Sequence, residues 1–204
     1  MIRDFLVWLQ TELGKGPGEY PMSWSEALLG SLNFWGLLEG THLLALMLFA
    51  GTIFVVDLRL LGVTFKRTPV SVLSDKVLPL TVFGFVIVLL TGLALFYAKP
   101  LVYYHNIWFR AKLVFIVLAL LNIVIFHRRV QRNISDWDGL AKPPGAARAS
   151  AAISLAAWVI VIMLGRFIAY DWFECGKPLP DWANALQECA ASEKGAQTLA
   201  ELAQ

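Results

Sequence analysis

Residues 36–62 read GLLEGTHLLALMLFAGTIFVVDLRLLG. From Leu43 to Val56 no side chain ionises, and the run is apolar enough to sit in lipid. Glu39 and His42 stand at its start, Asp57 and Arg59 at its end. A segment in hydrocarbon must satisfy its own backbone hydrogen bonds, so this one is a helix. Residues three and four apart on a helix share a face, so Glu39 and His42 point the same way. Positions 46, 50, 53 and 57 continue that stripe, and it is expected to face the inside of a bundle, because ionisable groups are costly against lipid.

The whole chain extends this reading. It has 204 residues, 58% of them hydrophobic and only 16% charged, where a soluble domain has about 25% charged. Mean hydropathy is +0.63. A crossing takes roughly 20 residues, and four segments qualify: Gly36–Val56, Val77–Ala98, Ile107–Phe126 and Ala151–Tyr170. The first helix has room to start earlier, since Ser23-Trp24-Ser25-Glu26 is a capping-box pattern. Pro79 falls near the start of the second, where a first turn tolerates it. The expected fold is all-α: an integral membrane four-helix bundle over residues 23–172. An N-terminal amphipathic segment (residues 1–22) precedes it, with Ile2, Phe5, Leu6, Leu9 and Leu13 at helical spacing. An outer-face tail (173–204) follows. MIRDFLVWLQTEL is too short in its apolar run for a cleavable signal. Net charge is +2, which leaves no nucleic-acid footprint, and eight tryptophans suit two water–lipid interfaces.

Loop charge sets the expected orientation. Arg59, Lys66, Arg67 and Lys76 follow the first span; Arg128, Arg129, Arg132, Lys142 and Arg148 follow the third; Lys99 alone lies between the second and third. The positive-inside rule puts the two basic loops in the cytoplasm and both termini outside. Cys175 and Cys189, the only cysteines, then lie outside and are expected to form a structural disulfide. No CxxC redox motif is present.

Depth sorts the histidines. His42 lies about 22 Å above Asp57 at 1.5 Å per residue, and about 8 Å below the outer surface of a 30 Å core. His105 sits near that surface, and it approaches His42 if the chain before the third span dips inward. His127 ends the third span beside Arg128 and Arg129 and reads as an interface residue. Arg110, Lys112 and Arg166 fall at the depth of His42 and are candidate partners for Glu39 or for a bound anionic group. The bland alternative has them snorkelling to the surface while Glu39 makes a structural pair.

Several chemistries are excluded. A bundle di-iron site needs a second Glu-x-x-His and further glutamates; HExxH is missing; no nucleophile poised against a base is visible in a span, so no catalytic residue is assigned. What remains is an outer-leaflet cofactor site. Heme b suits it, with His42 as axial ligand, His105 as second ligand, and Arg110, Lys112 and Arg166 facing its propionates. Copper or zinc on His42, Glu39 and His105 is the other option. Gly84, Thr91, Gly92, Ser154, Ala157 and Gly165 read as small residues that let helices approach, and Asn122 as an interhelical hydrogen bond.

GTHLLALMLFAGTIFVVDLRLLG, LPLTVFGFVIVLLTGLALF and NIWFRAKLVFIVLALLNIVIFH together resemble an uncharacterised family of bacterial four-helix inner-membrane proteins. The resemblance covers residues 39–127 and implies the bacterial inner membrane. A weaker likeness links the chain to copper-resistance D membrane proteins and to the heme-binding protoporphyrinogen oxidase of bacteria, which share a K-L apolar run like Lys112-Leu113. That likeness implies heme or copper near His42.

Three functions follow as expectations. The first is a redox protein passing electrons between quinone and an outside partner. The second is a non-catalytic accessory or assembly subunit of a larger membrane complex. The third, transport, lacks a continuous polar path between His42 and Asp57.

Overall fold

The computed structural model describes residues 2–17, 21–129, 131–170 and 180–187. It contains α1 (Ile2–Thr11), α2 (Trp24–Gly30), α3 (Leu32–Leu60), α4 (Val70–Ala98), α5 (Pro100–His105), α6 (Ile107–Arg129), α7 (Gly145–Tyr170) and α8 (Asp181–Gln187). No strand occurs among the described residues. Helices α3, α4, α6 and α7 are long and apolar enough to cross a membrane, and the chain is an all-α, multi-pass membrane protein. Cys175 and Cys189, with the expected disulfide, lie outside the described residues.

Two boundaries differ from the sequence reading, for local reasons. The capping box forms: Ser23 Oγ accepts from Glu26 N–H at 3.2 Å, and Ser23 N–H donates to Glu26 Oε2 at 2.8 Å. It starts the separate short helix α2, however, which ends at Ser31 before α3 begins. Helix α4 starts at Val70, so Pro79 lies in its interior rather than its first turn. The earlier start comes from a distant cap. Asp138 Oδ1 accepts from Ser71 N–H at 2.8 Å, its other oxygen accepts from Ser71 Oγ, and its carbonyl accepts from Val70 N–H at 3.3 Å.

The chain divides into two compact units: residues 1–35, 94–113 and 163–204 form one, residues 36–93 and 114–162 the other. In the first, α1 packs on α2 and α5 and buries Leu6. Ser23 Oγ donates to Gln10 O at 2.6 Å, and buried Ser25 donates to Ala98 O at 2.8 Å, satisfying a carbonyl at the end of α4. Asn106 caps α6, its Oδ1 accepting from Trp108 N–H and Phe109 N–H at 2.9 and 3.1 Å.

The second unit has two cores. Phe49, Ala119, Ala157, Trp158 and Val161 form one, with Phe49 meeting Trp158 edge-on at 4.8 Å. Here α3 and α4 touch through backbone: a Cβ on Gly84 would stand 3.0 Å from Phe49 N and 3.2 Å from its Cα. Gly84→Ala must therefore part the helices and is expected to cost about 1–3 kcal/mol, read as a lower melting temperature in detergent. Gly51→Ala, with nothing within 4 Å of its new carbon, is the neutral control.

Leu60, Val70, Trp137, Ala147 and Ala151 form the other core. Polar groups bridge between and around these clusters: Thr81 Oγ1 donates to Thr52 Oγ1 at 2.8 Å, Asn122 Nδ2 donates to Ser150 O at 3.0 Å, and Ser150 Oγ donates to Asn122 Oδ1 at 3.0 Å. Asp57 and Ser154 are both buried polar residues of this unit. The interhelical role expected for Asn122 is what the geometry shows.

Arg59, fully buried, ties the loops of this unit together. Its Nε donates to Thr68 O at 2.7 Å, and its Nη2 donates to Leu140 O at 3.0 Å and Asp138 O at 3.4 Å. Gly62 closes α3 at φ +74, against Ala141 O. Burial pushes the Asp138 carboxyl up, but the Ser71 hydroxyl and amide, the Val70 amide and the Arg59 charge outweigh it and hold the group below its usual 3.8. A depressed folded value means stability that is full above the ordinary Asp range and lost as pH falls through the folded value. Melting temperatures of the wild type are expected to fall more steeply below about pH 4 than those of Asp138→Asn.

Candidate functional site

The site grows from His42 on α3 and a Thr-Gly pair on α4, all in the second unit. His42 Nδ1 lies 2.8 Å from Thr91 Oγ1. Thr91 has one hydroxyl proton, and with Ile87 O at 2.6 Å and Val88 O at 3.3 Å on its own helix it is assigned to the backbone. Toward the imidazole the hydroxyl is therefore the acceptor and Nδ1 the donor. With Nδ1 as donor, Nε2 is the ring atom that can accept or ligate when the imidazole is neutral. Gly92 gives the ring its place, since a Cβ there would stand 3.3 Å from His42 Cε1. An imidazole with Nδ1–H fixed on an oxygen is the arrangement that orients a metal-ligating histidine and raises its basicity.

The remaining predicted residues are placed as follows. Glu39 is exposed, and no basic side chain among the described residues pairs with it. His105, Arg110, Lys112 and Arg166 belong to the first unit. His105 is 5% exposed, and its Nδ1–H donates to Gln187 O at 2.7 Å. Arg110 donates from Nε to Tyr104 O at 2.8 Å and from Nη1 to Leu186 O at 2.6 Å, with its guanidinium 5.1 Å from the Tyr104 ring centre. Together these two basic side chains hold the last carbonyls of α8, where a helix C-terminus favours donors and positive charge. Arg110 Nη2 is buried without an acceptor among the described residues. The Lys112 ammonium lies against bare Gly165, where a Cβ would come within 3.2 Å. Exposed Arg166 donates to Tyr170 Oη at 3.0 Å and stacks on its ring at 4.8 Å. His127 is exposed at the end of α6. Among the described residues no three His, Cys, Asp or Glu side chains gather where they could hold a metal ion.

Thr91 is the site residue that sequence reasoning assigned to packing. Its signal was present: a hydroxyl followed by glycine on the second span, in the TGLALF string. Gly92 and Gly165 combine the expected close-packing role with a specific neighbour, His42 for one and Lys112 for the other.

No curated protein and no solved structure matches the chain. The two motifs that meet here, GTHLLAL on α3 and TGLALF on α4, both fall inside the stretch 32–171 that a family model matches. The chain belongs to that family, a family of unknown function (DUF6644).

Proposed function

We propose that this is a membrane redox protein in which His42 ligates heme b, and that it carries electrons between quinone and a partner outside the membrane. The observation that supports this reading is the His42 Nδ1–Thr91 Oγ1–Ile87 O chain. It orients the ring as a hydrogen-bonded partner orients a ligating histidine. A bound heme supplies one-electron transfer. The chain's own residues do the rest. His42 binds; Thr91 orients; Gly92 keeps the ring's flank clear; exposed Glu39, one turn earlier, takes up or releases protons. His105 carries the same protonation pattern within its own unit and is tested alongside. Basic loops on the cytoplasmic side of a bacterial inner membrane put His42 in the outer half of its span.

Protein purified in detergent from cells supplied with heme precursor is expected to show a Soret band and bound iron, both lost in His42→Ala without loss of the folded, monodisperse peak. A colourless, iron-free wild type ends this reading. One observation favours the accessory-subunit alternative: Ile2, Phe5 and Trp8 project from α1 at 66%, 56% and 47% exposure, a face apolar enough to dock on a larger membrane complex. Co-purification of a stable complex, lost on Phe5→Glu/Trp8→Glu and indifferent to His42→Ala, selects it.

A further inference from the structure

The turn from α3 to α4 is braced at both ends. Gly62 N–H donates to Arg59 O at 3.0 Å, Val63 N–H to Leu58 O at 3.0 Å, and Thr68 N–H to Phe65 O at 2.9 Å, while Arg59 Nε holds Thr68 O. Inside this frame Phe65 sits at φ +50, the one non-glycine residue with positive φ among the described residues. A left-handed backbone is unfavourable for a residue with a Cβ, and for a bulky one it persists only where the surroundings force it. Packing within the protein does not explain it, because the Phe65 ring is 54% exposed and neighbouring Val63 59%.

The surroundings of this exposed ring are cationic. Lys66 and Arg67 follow it directly and are exposed. Lys142 comes in from the α6–α7 loop, its Cγ 3.6 Å from where a Gly62 Cβ would be. None of the three pairs with a carboxylate among the described residues. Exposed Arg128, Arg129, Arg132 and Arg148 add to the same unit. On α4 beyond the turn Val72 and Leu78 are exposed, with exposed Asp75 and Lys76 between them.

We propose that residues 63–67 are a lipid-anchoring turn: Val63 and Phe65 enter the apolar edge of the leaflet, and Lys66 and Arg67 bind the phosphates of anionic phospholipids. An apolar tip followed by cations is the pattern that lies in a charged membrane interface. The left-handed backbone is what turns a bulky ring outward toward lipid at the point where the chain reverses between two spans.

Two measurements test this on the full chain in bilayer nanodiscs. A spin label on Phe65→Cys, in a Cys175→Ser/Cys189→Ser background, is expected to collide with oxygen in preference to a polar nickel chelate, as a label on mid-span Leu90 does. A profile like that of a label on loop residue Asp136 overturns the proposal and leaves the turn open to a soluble acidic partner. From equimolar phosphatidylglycerol and phosphatidylcholine, the protein is expected to retain the anionic lipid preferentially. Lys66→Gln and Arg67→Gln should each cut that preference about fivefold, and the exchange Lys66→Arg/Arg67→Lys should keep it. An unchanged preference in Lys66→Gln/Arg67→Gln overturns the proposal. Phe65→Gly, relieved of its left-handed penalty, should melt no lower than wild type while retaining less anionic lipid; a lower melting temperature would make the ring structural and defeat the idea.

Discussion

Arg59→Leu is expected to be the most damaging single substitution in the loops. The side chain lost is fully buried and supplies donors to three carbonyls, Thr68 O, Asp138 O and Leu140 O. These come from two loops that approach each other only in the folded chain. Leucine fills part of the volume and satisfies none of them. A buried acceptor left without a partner costs about 1–3 kcal/mol. The gain from no longer burying a charge, one of whose amino groups (Nη1) has no partner among the described residues, offsets part of the loss. A net destabilisation of about 3 kcal/mol or more remains, which for a chain of this size lowers the melting temperature by roughly 6–12 °C. Arg59→Lys should fall between, because one ammonium cannot span carbonyls on two loops as a planar fork does. Exposed Arg67→Ala should stay within about 0.5 kcal/mol. Melts of the three variants in one detergent decide the matter; an Arg59→Leu melt equal to wild type would show that the loops close without the guanidinium.

The second large effect concerns His42 and separates a ligand from a packing residue. On the proposed reading, His42→Ala abolishes the heme spectrum. Thr91→Val keeps the volume of the side chain and the helix but removes the oxygen that accepts from Nδ1. Loss of such an orienting partner typically weakens cofactor affinity 10–100-fold. Thr91→Ser, which restores the hydroxyl, should restore binding. Gly92→Ala places a methyl 3.3 Å from the ring and should broaden or shift the spectrum by tilting the imidazole. If His42 were packing alone, Thr91→Val and Thr91→Ser would differ in melting temperature and in nothing spectroscopic.

The same residues show where sequence reading reached and where it stopped. The four spans, the amphipathic character of α1 and the capping box at Ser23 are local patterns, so they could be seen along the chain. Helix ends were less legible where a distant residue sets them. Nothing near Val70 announces that Asp138, 67 residues beyond Ser71, caps α4 and so draws Pro79 into the helix interior. DLRLLG was visible as charge at the end of the first span, but that its arginine clamps two loops was not. His105 and Arg110 stood at the expected end of the third span. That they meet the carbonyls of Gln187 and Leu186 depends on where α8 docks, 82 and 76 residues away.

By itself the sequence settled the class of molecule and the number of long apolar helices. A bilayer imposes length, apolarity and internal backbone pairing on each segment separately. Tertiary structure alone decided the long-range partners: Thr91 for His42, the Thr68, Asp138 and Leu140 carbonyls for Arg59, and the Gln187 carbonyl for His105. Those choices follow from which helix faces come together, and hydrogen bonds reach only about 3 Å, so no pattern along the chain encodes them.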